Sequence, residues 1–105
     1  MRLGAAPVAI LTVSASFSCA AAADDAEVLA LMRKHCMMCH AAQPTHESFR
    51  EAPKNVMLES IADIRKYAST IYAQTVQTKA MPLGNQTGMT DEERVTLGQW
   101  LKAQP

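Results

Sequence analysis

Two cysteines and a histidine stand close together in the run CMMCH, which spans Cys36 to His40. Two thiols separated by two residues and followed directly by an imidazole have several chemical uses in proteins. They can form a redox-active dithiol, contribute ligands to a zinc site, close a short disulfide, or attach a haem covalently, with the histidine as an iron ligand. The residues around the motif decide among these uses.

Three of the uses fit the sequence poorly. A thioredoxin-like pair is expected beside a βαβ pattern, and no alternating strand precedes the motif. A disulfide across two residues closes a loop too short to remove much unfolded-state entropy. A zinc site could combine Cys36, Cys39 and His40 with His35 or His46, but Cys39 and His40 are adjacent and point in different directions. The second ligand pair that zinc motifs usually carry is also missing.

Covalent haem attachment uses every residue of the motif. The thiols of Cys36 and Cys39 can reach two vinyl groups on one edge of a porphyrin, while His40 places its imidazole under the iron. We therefore expect one haem c, attached through both cysteines, with His40 as the proximal iron ligand. His35 is expected to be a solvated or haem-edge residue rather than a ligand.

A six-coordinate haem iron needs a second axial ligand, which is usually a methionine or a histidine. Met81 is the favoured candidate because it lies in the loop KAMPLG, where a proline and a glycine restrict and turn the backbone. Met89 competes with it, although its place just before the last predicted helix also suits a hydrophobic staple. His46 follows His40 too closely in the chain to cross the porphyrin easily.

The start of the chain is typical of a secretory leader, with one basic residue, an apolar run and an alanine tract that ends in acid. We predict a signal peptide over residues 1–23, cleaved near Ala23, and a periplasmic mature protein. The apolar run is too short for an ordinary spanning helix, so no stable membrane insertion is expected after cleavage. A lipoprotein anchor at Cys19 is the rival interpretation, but Ser16 and Phe17 do not fit its motif.

Residues 24–105 are expected to form one domain. Without the basic residue of the leader, the chain has nine basic and ten acidic residues. It therefore lacks the excess of basic residues that nucleic-acid binding requires, and we expect no nucleic-acid partner. A chain this short builds a thin core and usually needs a disulfide, a metal or a large cofactor.

Apolar residues at helical spacing predict an all-α class with no strand. A first helix is expected to end near Lys34, followed by an irregular loop, a long helix, a second loop and a last helix. The predicted N-terminal caps are Asp24 or Asp25, then Ser60 with Asp63, then a capping box of Thr90 with Glu93.

With these elements the chain resembles a class I cytochrome c over nearly its whole length after the leader. The likeness rests on the first helix, CMMCH, a proline about a dozen residues later, the methionine-proline loop and a final helix with an aromatic residue. It implies a small fold of about three to five helices around one covalently bound haem. It also implies a close crossing of the first and last helices at Gly98, and a hydrogen bond from His40 to the carbonyl of Pro53. Ala41 stands where the family commonly has glycine.

A narrower likeness concerns the run AMPLGNQTGMTDEERVTLGQWLKAQ and the earlier CHAAQPTH. Both are similar to the C-terminal cytochrome domain of bacterial membrane-bound urate oxidases. This likeness implies a detached periplasmic counterpart that accepts electrons from purine or urate oxidation.

The expected function is outer-sphere electron transfer. With His40 and Met81 both bound, the iron has no open position for a substrate, so we expect an electron carrier rather than an enzyme. The carrier is expected to be a monomer that exchanges single electrons with redox protein partners. The alternative is a haem-bearing subunit of an oxidoreductase complex. The apolar side chains expected to cover the haem are Ile64, Ile71, Leu83 and Trp100.

Overall fold

The computed structural model describes residues 2–15 and 22–105. Residues 2–15 form no helix or strand, and their side chains are exposed. The predicted signal peptide lies partly outside the described residues. Cys19, the residue of the rival lipoprotein anchor, lies outside them. Within the described ranges, no helix is both long enough and apolar enough to cross a bilayer.

Four α-helices supply most of the regular structure of residues 22–105, and no strand occurs among them. The predicted all-α class is confirmed at this level. The helices are α1 (Asp25–His35), α2 (Ile61–Lys66), α3 (Ala68–Tyr72) and α4 (Asp91–Lys102). A π-helical turn (Ala73–Gln77) extends α3, and two single 3₁₀ turns occupy Pro53–Asn55 and Leu83–Asn85.

Side-chain caps begin three of these helices where the sequence predicts them. Asp24 caps α1, Ser60 caps α2 and Thr90 caps α4, each by accepting from the backbone N–H three residues later, at 2.8, 3.1 and 3.1 Å. Glu93 returns a bond from its carboxylate to the Thr90 N–H at 3.0 Å, which completes a capping box. Each cap stabilises its helix by about 1 kcal/mol.

The long middle helix of the prediction is broken into two. The backbone of Tyr67 (φ −105°, ψ 16°) leaves helical geometry, so α2 ends before it and α3 begins after it. Further along, the Thr75 hydroxyl donates to the Ile71 carbonyl at 2.7 Å, a back-bond that bends helices. The helix widens there, and Thr78 N–H bonds five residues back to the Ala73 carbonyl at 2.9 Å.

The core lies where α1, α2, α3 and α4 meet. Four of its side chains are fully buried, and each contributes on the order of 1.5–3 kcal/mol of hydrophobic stabilisation. These four are Val28, Met32, Ile64 and Leu97.

Gly98 does not mediate the expected contact between the first and last helices. A Cβ added there would meet Val76 Cγ2 at 3.0 Å and Tyr72 Cε2 at 3.3 Å, so the close approach is between α4 and the end of α3. The contact of α1 with α4 instead includes a hydrogen bond from Trp100 Nε1 to Asp25 Oδ1 at 3.1 Å.

His35 is a buried link between the same two helices. Only 3% of its surface is exposed, so of the two roles expected for it the solvated one is wrong, while the haem-edge role stays a prediction. Its Nε2 donates to Glu93 Oε2 at 3.0 Å, and its Nδ1 is hydrogen-bonded to Thr87 Oγ1 at 2.7 Å. The His35 bond is the largest cause that lowers the pKa of Glu93 from its ordinary 4.5 to about 2, followed by the Thr90 N–H. The ionised Glu93 carboxylate is therefore favoured by folding.

We predict that Glu93→Gln lowers the free energy of unfolding at pH 7 by about 1 kcal/mol, the scale of one net hydrogen bond. Since the pKa of Glu93 is lowered in the folded state, its contribution is complete above pH 4.5 and is lost as the pH falls towards 2. Denaturant unfolding at several pH values should show the two proteins converging on acidification.

Glu92→Gln is the matched control, because Glu92 is exposed in the same first turn of α4 and shares its helix-dipole position. An equal loss of stability in both variants, or a Glu93→Gln effect that does not change with pH, would contradict the prediction.

Candidate functional site

The first helix runs directly into the CMMCH turn. The Cys36 N–H donates to the Met32 carbonyl at 2.8 Å, which continues the helical pattern by one residue. The Cys36 carbonyl then accepts from the N–H of Cys39 at 3.2 Å and from the N–H of His40 at 2.8 Å. These bonds close a tight turn, so Cys36, Cys39 and His40 lie on one short stretch of backbone directly after α1.

No disulfide bond joins the two motif cysteines. Cys36 is buried, and burial raises the pKa of its thiol to about 12, with a smaller contribution from the neighbouring Cys39. Burial also raises the pKa of Cys39. Redox-active dithiols and nucleophilic cysteines have lowered pKa values, because the thiolate is the reactive form. The environment of this pair therefore favours neutral thiols, which is the opposite of what a thioredoxin-like site needs.

The segment after the irregular loop holds His40 at two points. The ring Nδ1 donates to the Val56 carbonyl at 2.8 Å, and the His40 carbonyl accepts from the Leu58 N–H at 2.9 Å. A donor bond at Nδ1 fixes the ring orientation and the tautomer, and leaves Nε2 as the nitrogen with a free lone pair. This is the arrangement found in metal-ligating histidines.

The family resemblance implied that His40 donates to the carbonyl of Pro53, and this expectation is wrong. The acceptor is the carbonyl of Val56. Pro53 begins a 3₁₀ turn in which Lys54 (φ 53°) and Asn55 (φ 56°) both adopt left-handed backbone conformations. Two such residues in succession turn the chain sharply. The carbonyl that reaches the imidazole is consequently the one after the turn.

Two cavities of about 260 and 90 Å³ lie beside the motif. Cys36, His40, Pro53 and Met81 line both of them, so the cavities adjoin along these residues. The wall of the larger one is completed by Lys54, Val56, Leu58, Tyr67, Thr70, Ile71, Gln74 and Thr75. The smaller one is completed by His35, Cys39, Phe49, Pro82 and Leu83. A wider hollow of about 580 Å³, between the middle helices and the end of α4, contains none of these residues.

The cover expected from four apolar residues is only partly present. Ile64, Ile71 and Trp100 are buried, and Ile71 lines the larger cavity. Ile64 and Trp100 line neither cavity, whereas Leu83 is 55% exposed and lines the smaller one. It lies at the surface because the 3₁₀ turn of the Met81 loop carries it to the rim of the smaller cavity.

Met81 and Met89 have different environments. Met81 is half-buried and lines both cavities, together with Cys36 and His40. Met89 is 4% exposed and belongs to the hydrophobic core, and it lines neither cavity. Its position suits the packing role that the sequence offered as the alternative.

His46 also lies outside the linings of both cavities. Its Nε2 is hydrogen-bonded to Gln86 Oε1 at 3.0 Å, and its Nδ1 accepts from the Ser48 N–H at 3.1 Å. Both ring nitrogens are therefore engaged at the surface. Within residues 2–15 and 22–105, no group of three or more His, Cys, Asp or Glu side chains is arranged to hold a metal ion, so the four-ligand zinc set is not assembled.

Sequence reasoning missed two residues of the site. Val56 acts through its carbonyl, which no side-chain pattern reveals. Arg94 is 6% exposed and donates from Nη1 to the Met81 carbonyl at 2.9 Å. One signal could have found it, because Arg94 stands at helical spacing with Leu97 and Leu101, on the apolar face of α4.

Comparisons with known proteins found no match for this chain among protein-family models, curated proteins or solved structures.

Proposed function

We propose that the chain is a monohaem c-type cytochrome of the periplasm, with a class I cytochrome fold, that carries single electrons between redox proteins. The observation that carries this proposal is the shared lining of the two cavities. The thiol of Cys36, the imidazole of His40 and the thioether of Met81 all border the same space, and Cys39 borders the smaller part of it.

The donor set suits haem c. Two neutral thiols in one turn match the two vinyl groups of a porphyrin, because each S–H adds across one C=C bond and no other atom leaves. The free Nε2 of His40 supplies a nitrogen ligand, and Met81 supplies the sulfur ligand. Once bound, haem c would supply an iron that cycles between ferric and ferrous states.

Part of the remaining wall of the larger cavity is apolar. Val56, Leu58 and Ile71 present aliphatic side chains, and Tyr67 presents a half-buried ring. Such walls exclude water and disfavour extra charge, which favours the reduced state of a bound iron. With both axial positions filled from the chain, the protein would transfer electrons without binding a substrate at the metal.

The donor to test first is an enzyme that oxidises purines or urate. This part of the proposal is supported by the likeness of the Met81 loop and last helix to the cytochrome domain of membrane-bound urate oxidases. Domain likeness alone does not determine a physiological partner, so reduction of the purified protein by such an enzyme in the presence of urate is the deciding measurement.

We predict that the protein, produced in a periplasm that can attach haem c, keeps its haem through acid-acetone extraction. The mature mass should exceed that of the polypeptide by one haem. Replacing both Cys36 and Cys39 by alanine should abolish retention and leave a largely unfolded chain, since the cofactor completes a small core.

Ser69→Ala is the matched control, because it makes a change of similar size at an exposed residue that lines neither cavity, and it should leave haem content unchanged. Haem that extracts freely from the wild type, or stoichiometric zinc in its place, would rule out the proposal.

We predict that Met81→Ala removes the sulfur-to-iron absorption at the red end of the visible spectrum and opens the iron to imidazole and cyanide. The reduction potential should fall, because a soft ligand that favours ferrous iron is lost. Optical titration and potentiometry measure both effects.

Met89→Ala is the companion variant. It should retain the absorption and lower the free energy of unfolding by about 2 kcal/mol, the cost of truncating a buried methionine. If the band survives in Met81→Ala but vanishes in Met89→Ala, the ligand assignment is reversed. If the band is absent from the wild type and no exogenous ligand is needed to fill the site, His46 or His35 becomes the ligand to test.

A further inference from the structure

Arg94 is a charged side chain inside the protein. Its surface is 6% exposed, and the ion pairs of the described residues all involve other side chains. Burying a guanidinium is costly unless its N–H groups find acceptors. A cation held in this way, without a carboxylate, implies that its acceptors are important to the fold or to the site.

All three acceptors of Arg94 lie around the Met81 loop. Nη1 donates to the Thr75 carbonyl at 2.6 Å and to the Met81 carbonyl at 2.9 Å. Nη2 donates to Asn85 Oδ1 at 3.3 Å. That same oxygen accepts from the Met89 N–H at 2.9 Å, so the guanidinium contacts both the beginning of the loop and the residue that closes it.

The end of the π-helical turn explains why an arginine is needed here. The chain leaves the helix after Gln77, so the last carbonyls have no following turn to bond to. The Gln74 carbonyl accepts from the Met81 N–H at 2.9 Å, and the Thr75 carbonyl accepts from Arg94. The loop and the arginine together cap the helix that forms one wall of the cavity.

Met81 is therefore fixed through both of its backbone polar groups, the N–H by Gln74 and the carbonyl by Arg94. Fixing the two adjoining peptide units restricts where its side chain can go. A ligand held in place before binding loses less conformational freedom when it binds. A neutral thioether benefits from this more than a charged ligand would, because it has no net charge to attract it to the metal.

We infer that Arg94 is a positioning residue for Met81, whose guanidinium holds the Met81 backbone so that the thioether stays on the iron. The inference rests on the proposed function, because Met81 has an iron to bind only if the chain carries haem. It gives α4 a role in ligand binding, in addition to its packing in the core.

The test compares the holoproteins of wild type, Arg94→Met and Arg94→Lys. Haem content is measured first, then the sulfur-to-iron band of the ferric protein, then the affinity for imidazole. Arg94→Met should keep its haem, weaken the band and bind imidazole at least tenfold more tightly, a change equal to about 1.4 kcal/mol. Arg94→Lys should fall between the two, since an ammonium keeps the charge but lacks the planar fork of donors.

Two controls separate positioning from general destabilisation. Arg65→Met removes an arginine whose hydrogen bonds go to Gln104 and Asp25, and should leave imidazole affinity unchanged. Val28→Ala weakens the core between α1 and α4 and should lower stability without raising imidazole affinity tenfold.

The possible results are distinct. A wild type without covalent haem overturns the proposed function and this inference with it. Normal haem content with an unchanged band and imidazole affinity in Arg94→Met overturns the inference alone, as does an equal gain of affinity in Val28→Ala. If Arg94→Met fails to fold, Arg94→Lys decides, and an imidazole affinity equal to that of the wild type contradicts the positioning role.

Discussion

The carbonyl of Cys36 accepts hydrogen bonds from the N–H groups of both Cys39 and His40, and the geometry of the candidate site depends on this shared acceptor. It turns the end of α1 back on itself, so groups that are neighbours in sequence remain neighbours in space. Because α1 packs on α4 through side chains such as Met32, the turn has a defined position relative to the last helix. The other segments need only to reach this position.

Two segments do so by different means. The stretch from Val56 to Leu58 binds His40 through backbone groups, and the Met81 loop is bonded to the end of the middle helix and to Arg94. Neither segment is regular secondary structure. Irregular backbone near a cavity is stable only when its polar groups are paired, and these pairs are supplied within the site itself.

Features that depend on contacts three or four residues apart could be predicted from the sequence. Examples are the Ser60 cap and the capping box of Thr90, where a short polar side chain meets a nearby free N–H. That Cys36, Cys39 and His40 share one turn also follows from their spacing. Met81 could be predicted as their neighbour only from the proline and glycine of its loop, because the local sequence does not determine which part of the protein a loop packs against.

Features that depend on distant contacts could not be predicted. His35 meets Glu93 across 58 positions, so its burial is invisible to a pattern of neighbours. Pro53 was the wrong acceptor because the prediction counted residues along the chain, whereas the left-handed turn at Lys54 and Asn55 determines which carbonyl points inward. The break at Tyr67 likewise interrupts an apolar spacing that suits one continuous helix.

The bond from His40 to the Val56 carbonyl also bears on the electron donation of the ring. A carboxylate acceptor in that place would draw the imidazole proton towards itself and give the ring partial imidazolate character, making Nε2 a stronger donor. An amide carbonyl carries no net charge and polarises the ring less. A metal bound at Nε2 would therefore receive less electron density, so its higher oxidation state would be less stabilised than with a histidine paired to aspartate.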